Sequence, residues 1–413
     1  MRNWPTLEVA KWHQGLPELR LQLTSGDLDI YSKDTNFRMY VCGITPYDAT
    51  HLGHAATYLT FDMINRYVRL CGRKVDFVEN ITDIDDPLFE RAKRDRQSWL
   101  ELGETQIALF ESDMTRLRIL PPKNYVAVTQ AMGSIIKAIE TLVDKGLTYE
   151  LAGNIYFRIT PYLEELPLTL EEALEIFAER GGDPALVGKE HALDPILWIA
   201  NKDGEPGWDS QMGFGRPGWH IECSVIALEN LVGSNYLIPG ETLSKTIDLQ
   251  GGGSDLIFPH HFMSAALGKA LTGLDFASAY LHAAMVGLDG EKMSKSKGNL
   301  VFVSSLLNEG VDPMILRHAL LSEKYSENRM WSNETLKSSE TRVSNLRSAL
   351  ARIECAPTDG VIEAIAEKIA DDLDTPEALN LLDDWAKETV NGKVGGSVGE
   401  LSRFIDAALG LAL

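Results

Sequence analysis

The sequence predicts an α/β fold in which a parallel sheet is split by an inserted region and followed by a helical C-terminal part. Residues 38–44 and 74–80 have the apolar patterns of buried strands, and they enclose a helical pattern over residues 53–70. The α/β pattern returns near residue 219, and the chain after residue 299 is mainly helical. A strand, a helix and a second strand joined by short connections are the beginning of a parallel sheet.

The first predicted helix takes its buried face from Leu59, Met63 and Tyr67, which recur at positions i, i+4 and i+8. Residues 86–146 are predicted to be helical as well. The apolar stripe at the end of that segment consists of Ile135, Ile139, Leu142 and Val143.

The middle of the chain interrupts the α/β pattern. Residues 154–160 predict a return strand, and residues 163–209 predict irregular structure because they are rich in Glu, Pro and Gly. A helix then begins at Trp219, a strand covers residues 246–250, and residues 251–253 predict a glycine turn. The predicted organisation is a first half of the sheet domain at residues 1–95, an insertion at 96–209, a second half at 210–300, a helical region at 301–345 and a short acidic helical domain at 346–413.

The composition is that of a globular protein, with 44% hydrophobic and 24% charged residues in 413. No apolar run reaches the roughly 18 residues that span a bilayer, and residues 1–16 lack a signal-peptide core, so we expect a cytoplasmic protein. Four scattered cysteines exclude a disulfide framework. A net charge of −21 argues against binding a polyanion such as RNA.

His51, Gly53 and His54 form an H-x-G-H motif at the start of the first predicted helix. A helix N-terminus attracts anions, two imidazoles can donate hydrogen bonds to phosphate, and Gly53 would allow a nucleotide to approach closely. Alone, so short a motif equally fits two surface histidines at a helix start.

The second motif is K-M-S-K-S-K-G-N at residues 292–299. A loop with three lysines and small residues suits a mobile clamp on a triphosphate, because its cations can neutralise charge on departing pyrophosphate. As a bare charge cluster, it also fits a solvated basic loop.

Together, and in this order around a split sheet, the two motifs resemble the paired signatures of class I aminoacyl-tRNA synthetases. The resemblance implies a class I synthetase-like Rossmann fold of the HUP type, with residues 96–209 as its connective region and residues 301–345 as a region like the stem-contact helices. It also implies ATP, with Mg²⁺, as a substrate. The catalytic residues that it implies are His51, His54, Lys292 and Lys295.

Cys42, Cys223 and His260 are candidates for a metal site, although their spacing alone predicts none, and a lone cysteine is more often an apolar filler. The stretches around them, G-W-H-I-E-C-S at residues 218–224 and F-P-H-H at residues 258–261, resemble cysteinyl-tRNA synthetase. That resemblance implies one zinc ion per chain, bound by these three residues, that binds the substrate thiol. Zinc prefers a thiolate to a hydroxyl, so it separates cysteine from serine without editing.

Ser264 marks a departure from the cysteinyl-tRNA synthetase pattern, which has a fourth zinc ligand, Glu, at this position. Three protein ligands would leave a coordination position for the sulfur of cysteine, as in catalytic zinc sites.

The chain from about residue 39 to its end most resembles the mycothiol cysteine ligase family, which joins cysteine to the amine of glucosaminyl-inositol. The resemblance rests on residues 42–56, on E-R-G-G-D-P at residues 179–184, and on the missing zinc-ligand Glu. The cysteinyl-adenylate residues that it implies are Cys42, Gly43, Ile44, Thr45, Thr57, Asn80, Ile81, Thr82, Trp219, Gly253, Ser254, Asp255 and Val286.

Several of these residues also fit a purely structural role. Trp219 fits a core position as well as a wall that excludes large amino acids, and residues 179–184 fit an exposed turn. Asp83, Asp85 and Asp86 form an acidic cluster. We interpret this cluster as the N-cap of a helix rather than as a metal site.

Residues 346–413 discriminate between the ligase and a short cysteinyl-tRNA synthetase that charges tRNA(Cys). They contain six basic and thirteen acidic residues, which suits an anticodon stem poorly. We therefore expect L-cysteine, ATP and glucosaminyl-inositol as partners of a monomer that binds no tRNA. Intact motifs disfavour a third possibility, a catalytically inactive paralogue.

Asp255 follows the predicted glycine turn and precedes His260, so we predict that its carboxylate faces the pocket. It is a hypothesised acceptor of the proton that the attacking amine loses. The competing hypothesis is that it binds the ammonium group of cysteine.

Overall fold

The computed structural model of the chain describes residues 3–12, 15–24, 28–30, 36–202, 204–238, 243, 246–293 and 298–413. The strands are β1 Arg20–Gln22, β2 Leu28–Ile30, β3 Asn36–Val41, β4 Lys74–Ile81, β5 Asn124–Ala127, β6 Thr148–Leu151, β7 Asn154–Phe157, β8 Ile196–Ala200, β9 Gly215–Pro217, β10 Ile247–Gly253, β11 Ala277–Ala283, β12 Val286–Leu288, β13 Glu291–Lys292 and β14 Arg329–Trp331. The helices are α1 Leu52–Leu70, α2 Asp86–Asp95, α3 Trp99–Arg116, α4 Val128–Asp144, α5 Leu170–Glu179, α6 Trp219–Leu231, α7 Phe262–Thr272, α8 Val303–Asn308, α9 Pro313–Leu321, α10 Asn333–Leu350, α11 Asp359–Ala370, α12 Thr375–Val390 and α13 Val398–Leu409.

The central sheet is parallel, with strand order β11-β10-β3-β4-β5. The chain moves outward from β3 through β4 to β5 and later returns to the other side of β3 as β10. Strand order therefore reverses between β3 and β10, and the crevice beyond the carboxyl ends of two such strands is where open α/β sheets bind ligands.

Alternating side chains of β3 explain why both faces of the sheet are covered. Phe37, Met39 and Val41 pack in the core that contains α1, whereas Tyr40 packs in the core that contains α4, α6 and α7. Leu59, Met63 and Tyr67 of α1 are buried, as the helical spacing predicts. The strand ends at Val41, so Cys42, Gly43 and Ile44 lie just beyond it rather than within it.

The segment predicted to be helical over residues 86–146 also contains a strand, β5, which pairs with β4 at the sheet edge. Its four residues are too few to show a strand period. In the following helix α4, Ile135, Ile139 and Leu142 are buried as predicted, but Val143 is 42% exposed. Val143 therefore lies beside the buried stripe, not in it.

The segment predicted to be irregular over residues 163–209 contains helix α5 and strand β8. Thr169 and Glu172 form a reciprocal capping box at the start of α5, a motif that is readable in the sequence. Strand β8 lies in an antiparallel sheet of order β6-β7-β8-β9, which forms a separate layer above the crevice.

Gly251, Gly252 and Gly253 are the last residues of β10, not a turn. Cys42 donates its backbone N–H to the carbonyl of Gly251 at 3.0 Å, so the strand pairing extends to the site. A Cβ at Gly251 would lie 2.1 Å from the ring of Phe61, and only glycine permits this approach of α1 to the sheet.

A buried ion cluster joins the C-terminal helices to α1. Asp62 accepts hydrogen bonds from Arg66 and Arg317, and Arg317 donates to the carbonyl of Leu409 at 2.7 Å. The two cations lie near the carboxyl end of α13, where a helix favours positive charge. Helix α1, which carries His54, is thereby fixed to the end of the chain. Among the described residues, every helix is too short or too polar to cross a membrane.

Candidate active site

The crevice beyond the carboxyl ends of β3, β4 and β10 is a cavity of about 1030 Å³. Its floor comes from the segments that follow these strands, and its opposite wall comes from the antiparallel sheet and the end of α5. Residues from both sequence motifs line it, including His51, His54 and Met293.

Cys42, Cys223 and His260 converge at the floor of this cavity, with one ligand atom from each within 4.8 Å of the others. Cys42 follows β3, Cys223 lies on the second turn of α6, and His260 precedes α7. All three are buried, and among the described residues Nε2 of His260 has no hydrogen-bond partner. Two thiols and an imidazole with an unsatisfied buried nitrogen are a donor set that fits zinc.

Neighbouring aromatic side chains contact two of the three residues, His260 and Cys42. The indole of Trp219 stacks on His260 with ring centroids 4.1 Å apart, and Nδ1 of His220 lies 3.0 Å from Nδ1 of His260. Nε2 of His261 lies 3.2 Å from the Sγ of Cys42, and its Nδ1 lies 2.6 Å from Nε2 of His282. A metal ligand set needs such outer partners to hold its orientation.

Burial determines the charge state of these groups. It lowers the pKa of His260 and His261 well below the ordinary value of 6.5, and lowers the pKa of His220 to about 3, so the imidazoles are neutral near pH 7. Burial, together with the adjacent Cys42, raises the pKa of the Cys223 thiol. A thiol in such surroundings gives up its proton when a divalent cation binds.

Ser264 does not replace the missing fourth ligand. Its Oγ is fully buried and donates a hydrogen bond to the carbonyl of His220 at 3.3 Å. This serine therefore braces α7 against α6 and leaves three protein donors in the cluster.

Asn80 holds the chain just after β3 in position. Its Oδ1 accepts hydrogen bonds from the backbone N–H of Gly43 at 2.8 Å and from the Tyr40 hydroxyl at 2.9 Å, and its Nδ2 donates to Thr82. A Cβ at Gly43 would lie 1.7 Å from the carbonyl oxygen of Asn80, so only glycine fits there. This network determines where Cys42 projects.

His51 is the N-cap of α1, and its Nδ1 accepts hydrogen bonds from the backbone N–H groups of Gly53 and His54. Because Nδ1 accepts, the ring proton lies on Nε2 and can be donated to an anion. His54 stacks on His51 with centroids 3.8 Å apart. Burial and, to a smaller extent, the neighbouring His51 lower the pKa of His54 to about 3. His54 therefore acts as a neutral hydrogen-bonding group.

The chain after the lysine-rich motif pairs with the chain before α1. Leu52 donates its N–H to the carbonyl of Val301, and Val303 donates to the carbonyl of Thr50. Met293 is buried in the cavity wall. The two motifs thus have adjacent flanks, although they are about 240 residues apart in sequence. The backbone of Lys292 lies in β13, whereas Lys295 lies outside the described residues.

Eleven of the thirteen residues expected to contact cysteinyl-adenylate line the cavity. They are Cys42, Gly43, Ile44, Thr45, Thr57, Asn80, Thr82, Trp219, Gly253, Asp255 and Val286. Ile81 is fully buried in the core on the α1 side of the sheet, and Ser254 begins a short 3₁₀ turn; neither lines the cavity. Trp219 is half-buried and lines the cavity, so it is a wall residue, not core filling.

Asp85 has the N-cap role expected of the acidic cluster. Its side chain accepts from the N–H of Asp86 at the start of α2, and burial raises its pKa to about 6. Asp86 and Glu205 both pair with the buried guanidinium of Arg216 in the cavity wall. Sequence reasoning missed Arg216, because its only signal is an isolated arginine between a glycine and a proline. The loop expected over residues 228–247 is described only in part, since residues 239–242 and 244–245 lie outside the described residues.

Asp255 is 34% exposed at the cavity wall, and its Oδ2 lies 3.9 Å from Nη1 of Arg180. Arg180 belongs to the E-R-G-G-D-P motif, for which the sequence indicates no role. The structure therefore brings residues 180–183 of this motif into the same cavity as Cys42 and His51.

Comparison with known proteins agrees with this architecture. Residues 30–341 match the family of class I tRNA synthetase (C) catalytic domains. Methionyl-tRNA synthetase of Mycobacterium tuberculosis in complex with methionyl-adenylate is similar in fold, with a TM-score of 0.62 and 16% identity over 91% of this chain and 88% of that one. A putative arginyl-tRNA synthetase of Campylobacter jejuni has a TM-score of 0.54 and 17% identity, covering 91% of each chain. The fold and the site thus define a class I synthetase-like catalytic domain.

Full-length relatives narrow this class. The chain is 48% identical to L-cysteine:1D-myo-inositol 2-amino-2-deoxy-alpha-D-glucopyranoside ligase of Streptomyces griseus, covering 100% of both chains. It is 47% identical to the ligase of the same name of Geodermatophilus obscurus, covering 100% of this chain and 99% of that one. The chain therefore belongs to the family of these ligases.

Proposed function

We propose that this protein activates the carboxyl group of cysteine with ATP and transfers the cysteinyl group to the amine of glucosaminyl-inositol, forming an amide. The convergence of Cys42, Cys223 and His260 carries this proposal, because a donor set that suits zinc and a thiolate lines the same cavity as the N-terminus of α1. The names of the full-length relatives support the choice of acceptor.

In the first step, a carboxylate oxygen of cysteine attacks the α-phosphorus of ATP, and the bond to pyrophosphate breaks. ATP enters as its complex with Mg²⁺. Negative charge grows on the pyrophosphate as it departs. The N-terminus of α1 and the Nε2–H of His51 can stabilise phosphate charge in the cavity. Lys292 and Lys295 are the proposed cations on the pyrophosphate.

Cys42, Cys223 and His260 would hold one zinc ion per chain. When bound, zinc supplies a Lewis-acidic position for the thiolate of substrate cysteine, and a hydroxyl competes poorly for it. Trp219 stands at the wall beside His260 and limits the size of the bound amino acid. Cysteine selection thus has two parts, the affinity for sulfur and the limited volume.

In the second step, the neutral amine of the acceptor attacks the carbonyl carbon of cysteinyl-adenylate, AMP departs, and a proton leaves the nitrogen. A sugar amine beside electron-withdrawing oxygens has a pKa no higher than that of an α-amino group, about 8, so modest assistance by a base suffices near pH 7.5. Asp255 is the proposed group that accepts or orients that proton, since its carboxylate lines the cavity.

The experiment that tests this proposal compares acceptors. Purified protein with cysteine and ATP is offered either glucosaminyl-inositol or tRNA(Cys), and AMP release and the cysteinylated product are measured. We expect product with glucosaminyl-inositol and none with tRNA, and a loss of both AMP and product when serine replaces cysteine. Charging of tRNA without formation of the amide would overturn the proposal in favour of a cysteinyl-tRNA synthetase.

A further inference from the structure

The E-R-G-G-D-P motif at residues 179–184 contributes four residues to the cavity wall. Arg180, Gly181, Gly182 and Asp183 all line the cavity, and they follow directly on the end of α5. Neither the activation of cysteine nor the proposed zinc site uses any of them. Residues 180–183 therefore line the cavity but have no part in the first step as proposed above.

The turn is rigidly built. Gly181 and Asp183 have positive φ angles of 81° and 46°, and a Cβ at Gly182 would lie 2.5 Å from ring atoms of Phe177. Lys189 donates a hydrogen bond to the carbonyl of Gly182 at 2.7 Å. Its ammonium also lies over the ring of Phe177, 4.9 Å from the centroid. These contacts hold the turn against the cavity and explain both glycines.

Arg180 lies beside Asp255 at the cavity wall. Nη1 lies 3.9 Å from Oδ2, too far for a direct hydrogen bond, and each side chain is 34% exposed. Within the described part of the chain, Arg180 is the only cationic residue within 4.0 Å of that carboxylate. A partly exposed pair at this distance is weak, so a ligand that supplies better partners can separate it.

We propose that residues 179–184 are the acceptor subsite, and that Arg180 is the positioning residue that prepares Asp255 for the amine. This inference rests on the proposed function. A polyol amine offers a nitrogen flanked by hydroxyl groups. Its nitrogen suits the carboxylate of Asp255, and its hydroxyl oxygens suit the guanidinium of Arg180, which has five N–H donors.

The exchange of partners gives a balanced second step. The amine nitrogen forms a bond to the carbonyl carbon, the carbon–oxygen bond to AMP breaks, and the nitrogen proton passes to Asp255. Arg180 turns from Asp255 to a hydroxyl of the acceptor and leaves the carboxylate available for the proton. Asp183 lines the same wall and is an acceptor for further hydroxyl groups.

The charge of the turn favours a polyol over a phosphate. Its cavity-lining residues present one cation, Arg180, together with one anion, Asp183, whereas a phosphate site concentrates cations and backbone N–H groups. The alternative role for Arg180 is a contact with the phosphate of the adenylate. The two roles predict failure of different half-reactions.

The test measures both half-reactions of Arg180→Ala and Arg180→Lys. ATP–pyrophosphate exchange with cysteine should stay within about threefold of wild type in both. The KM for glucosaminyl-inositol should rise roughly tenfold to a hundredfold in Arg180→Ala, the cost of a lost charged hydrogen bond, and Arg180→Lys should recover part of it. Arg158→Ala is the matched control, because Arg158 lies in the same inserted region but pairs with Glu190 at the surface and does not line the cavity.

A second acceptor separates contact with the polyol from a general disturbance. Cyclohexylamine carries an amine but no hydroxyl groups, so the subsite predicts that Arg180→Ala lowers the ratio of kcat/KM for glucosaminyl-inositol to kcat/KM for cyclohexylamine. A parallel fall of exchange and transfer would overturn the subsite and assign Arg180 to the adenylate phosphate. An unchanged KM for the acceptor would overturn it as well. If wild-type protein exchanges pyrophosphate but never uses glucosaminyl-inositol, the proposed function fails and the subsite falls with it.

Discussion

Trp219 lies flat on His260, with ring centroids 4.1 Å apart and ring planes 9° apart. The stack fixes the plane of an imidazole whose Nδ1 also meets His220 at 3.0 Å. Because two neighbours determine its orientation, His260 is held in place without a metal, as a preorganised ligand must be.

The first prediction concerns the metal. Purified protein should contain about one zinc per chain, and substrate cysteine should add a sulfur ligand that X-ray absorption detects. His260→Ala should lose the zinc and reduce cysteine-dependent exchange by at least the roughly 10–100-fold that loss of an outer-shell partner costs. Cys71→Ala is the control, since Cys71 lies at the end of α1 and outside the cluster. Metal-free wild type, or a His260→Ala variant with normal zinc and activity, would contradict the site.

The second prediction concerns Lys292 and Lys295. Negative charge grows on pyrophosphate only during activation, so replacing either lysine by alanine should reduce exchange by roughly 10²–10³. Transfer from a preformed adenylate should hardly change. Lys337→Ala serves as the control, because Lys337 is exposed on α10. Equal losses in both half-reactions would rule out the clamp role.

Asp255 gives the third prediction. If it serves the acceptor, Asp255→Asn should leave exchange within a few-fold, while transfer from a preformed adenylate slows by about 10²-fold or more. Asp144→Asn, an exposed change at the end of α4, should leave both half-reactions unchanged. A collapse of exchange together with weaker cysteine binding would instead make Asp255 the anchor of the cysteine ammonium.

The fourth prediction concerns acid stability and His318, which is buried in α9 far along the chain from the cluster. Burial, and then the nearby Arg342, lowers its pKa from 6.5 to about 3. Above pH 6.5 the imidazole is neutral in both the folded and the unfolded protein. Below pH 6.5 the unfolded chain binds a proton at His318, whereas the folded chain does not bind it until about pH 3. Stability therefore falls as the pH falls through this window, by about 2 kcal/mol between pH 6.5 and 5.

Urea unfolding at pH 7 and pH 5 tests this sign. His318→Asn should lose less stability between the two pH values than wild type, by about 2 kcal/mol. Ser339 is the hydrogen-bond partner of His318 at 3.0 Å, and Ser339→Ala should lower stability by a similar amount at both pH values. If His318→Asn and wild type lose the same free energy of unfolding between pH 7 and pH 5, this imidazole is not the group responsible.

Local pattern in the sequence was enough to predict the helix and strands that begin the sheet. The apolar period of α1 and the residue types of the two nucleotide motifs depend only on neighbours within a few turns. The class of protein followed from the paired motifs at residues 51–54 and 292–299. The ligase family followed from residues 42–56, residues 179–184 and the missing zinc-ligand Glu, and the comparisons confirm both. The roles of individual site residues stay predictions.

The periodicity of apolar residues could not predict the short elements or those at the edge of the sheet. Strand β5 has four residues, and strand character at Gly251–Gly253 comes from pairing with β3 and β11. Glycines in sequence indicate a turn, and only the neighbouring strands and the ring of Phe61 make them strand residues here. The capping box of α5, by contrast, was readable in the sequence and was missed.

The sequence by itself determined which residue types were available for chemistry: two histidines at a helix start, a lysine-rich loop, two cysteines and a histidine. Only the tertiary structure decided that Cys42, Cys223 and His260 meet, and that Arg180 lies beside Asp255. The physical reason is that these contacts depend on strand order. The reversal between β3 and β10 brings distant segments to one crevice, and no local spacing encodes that approach.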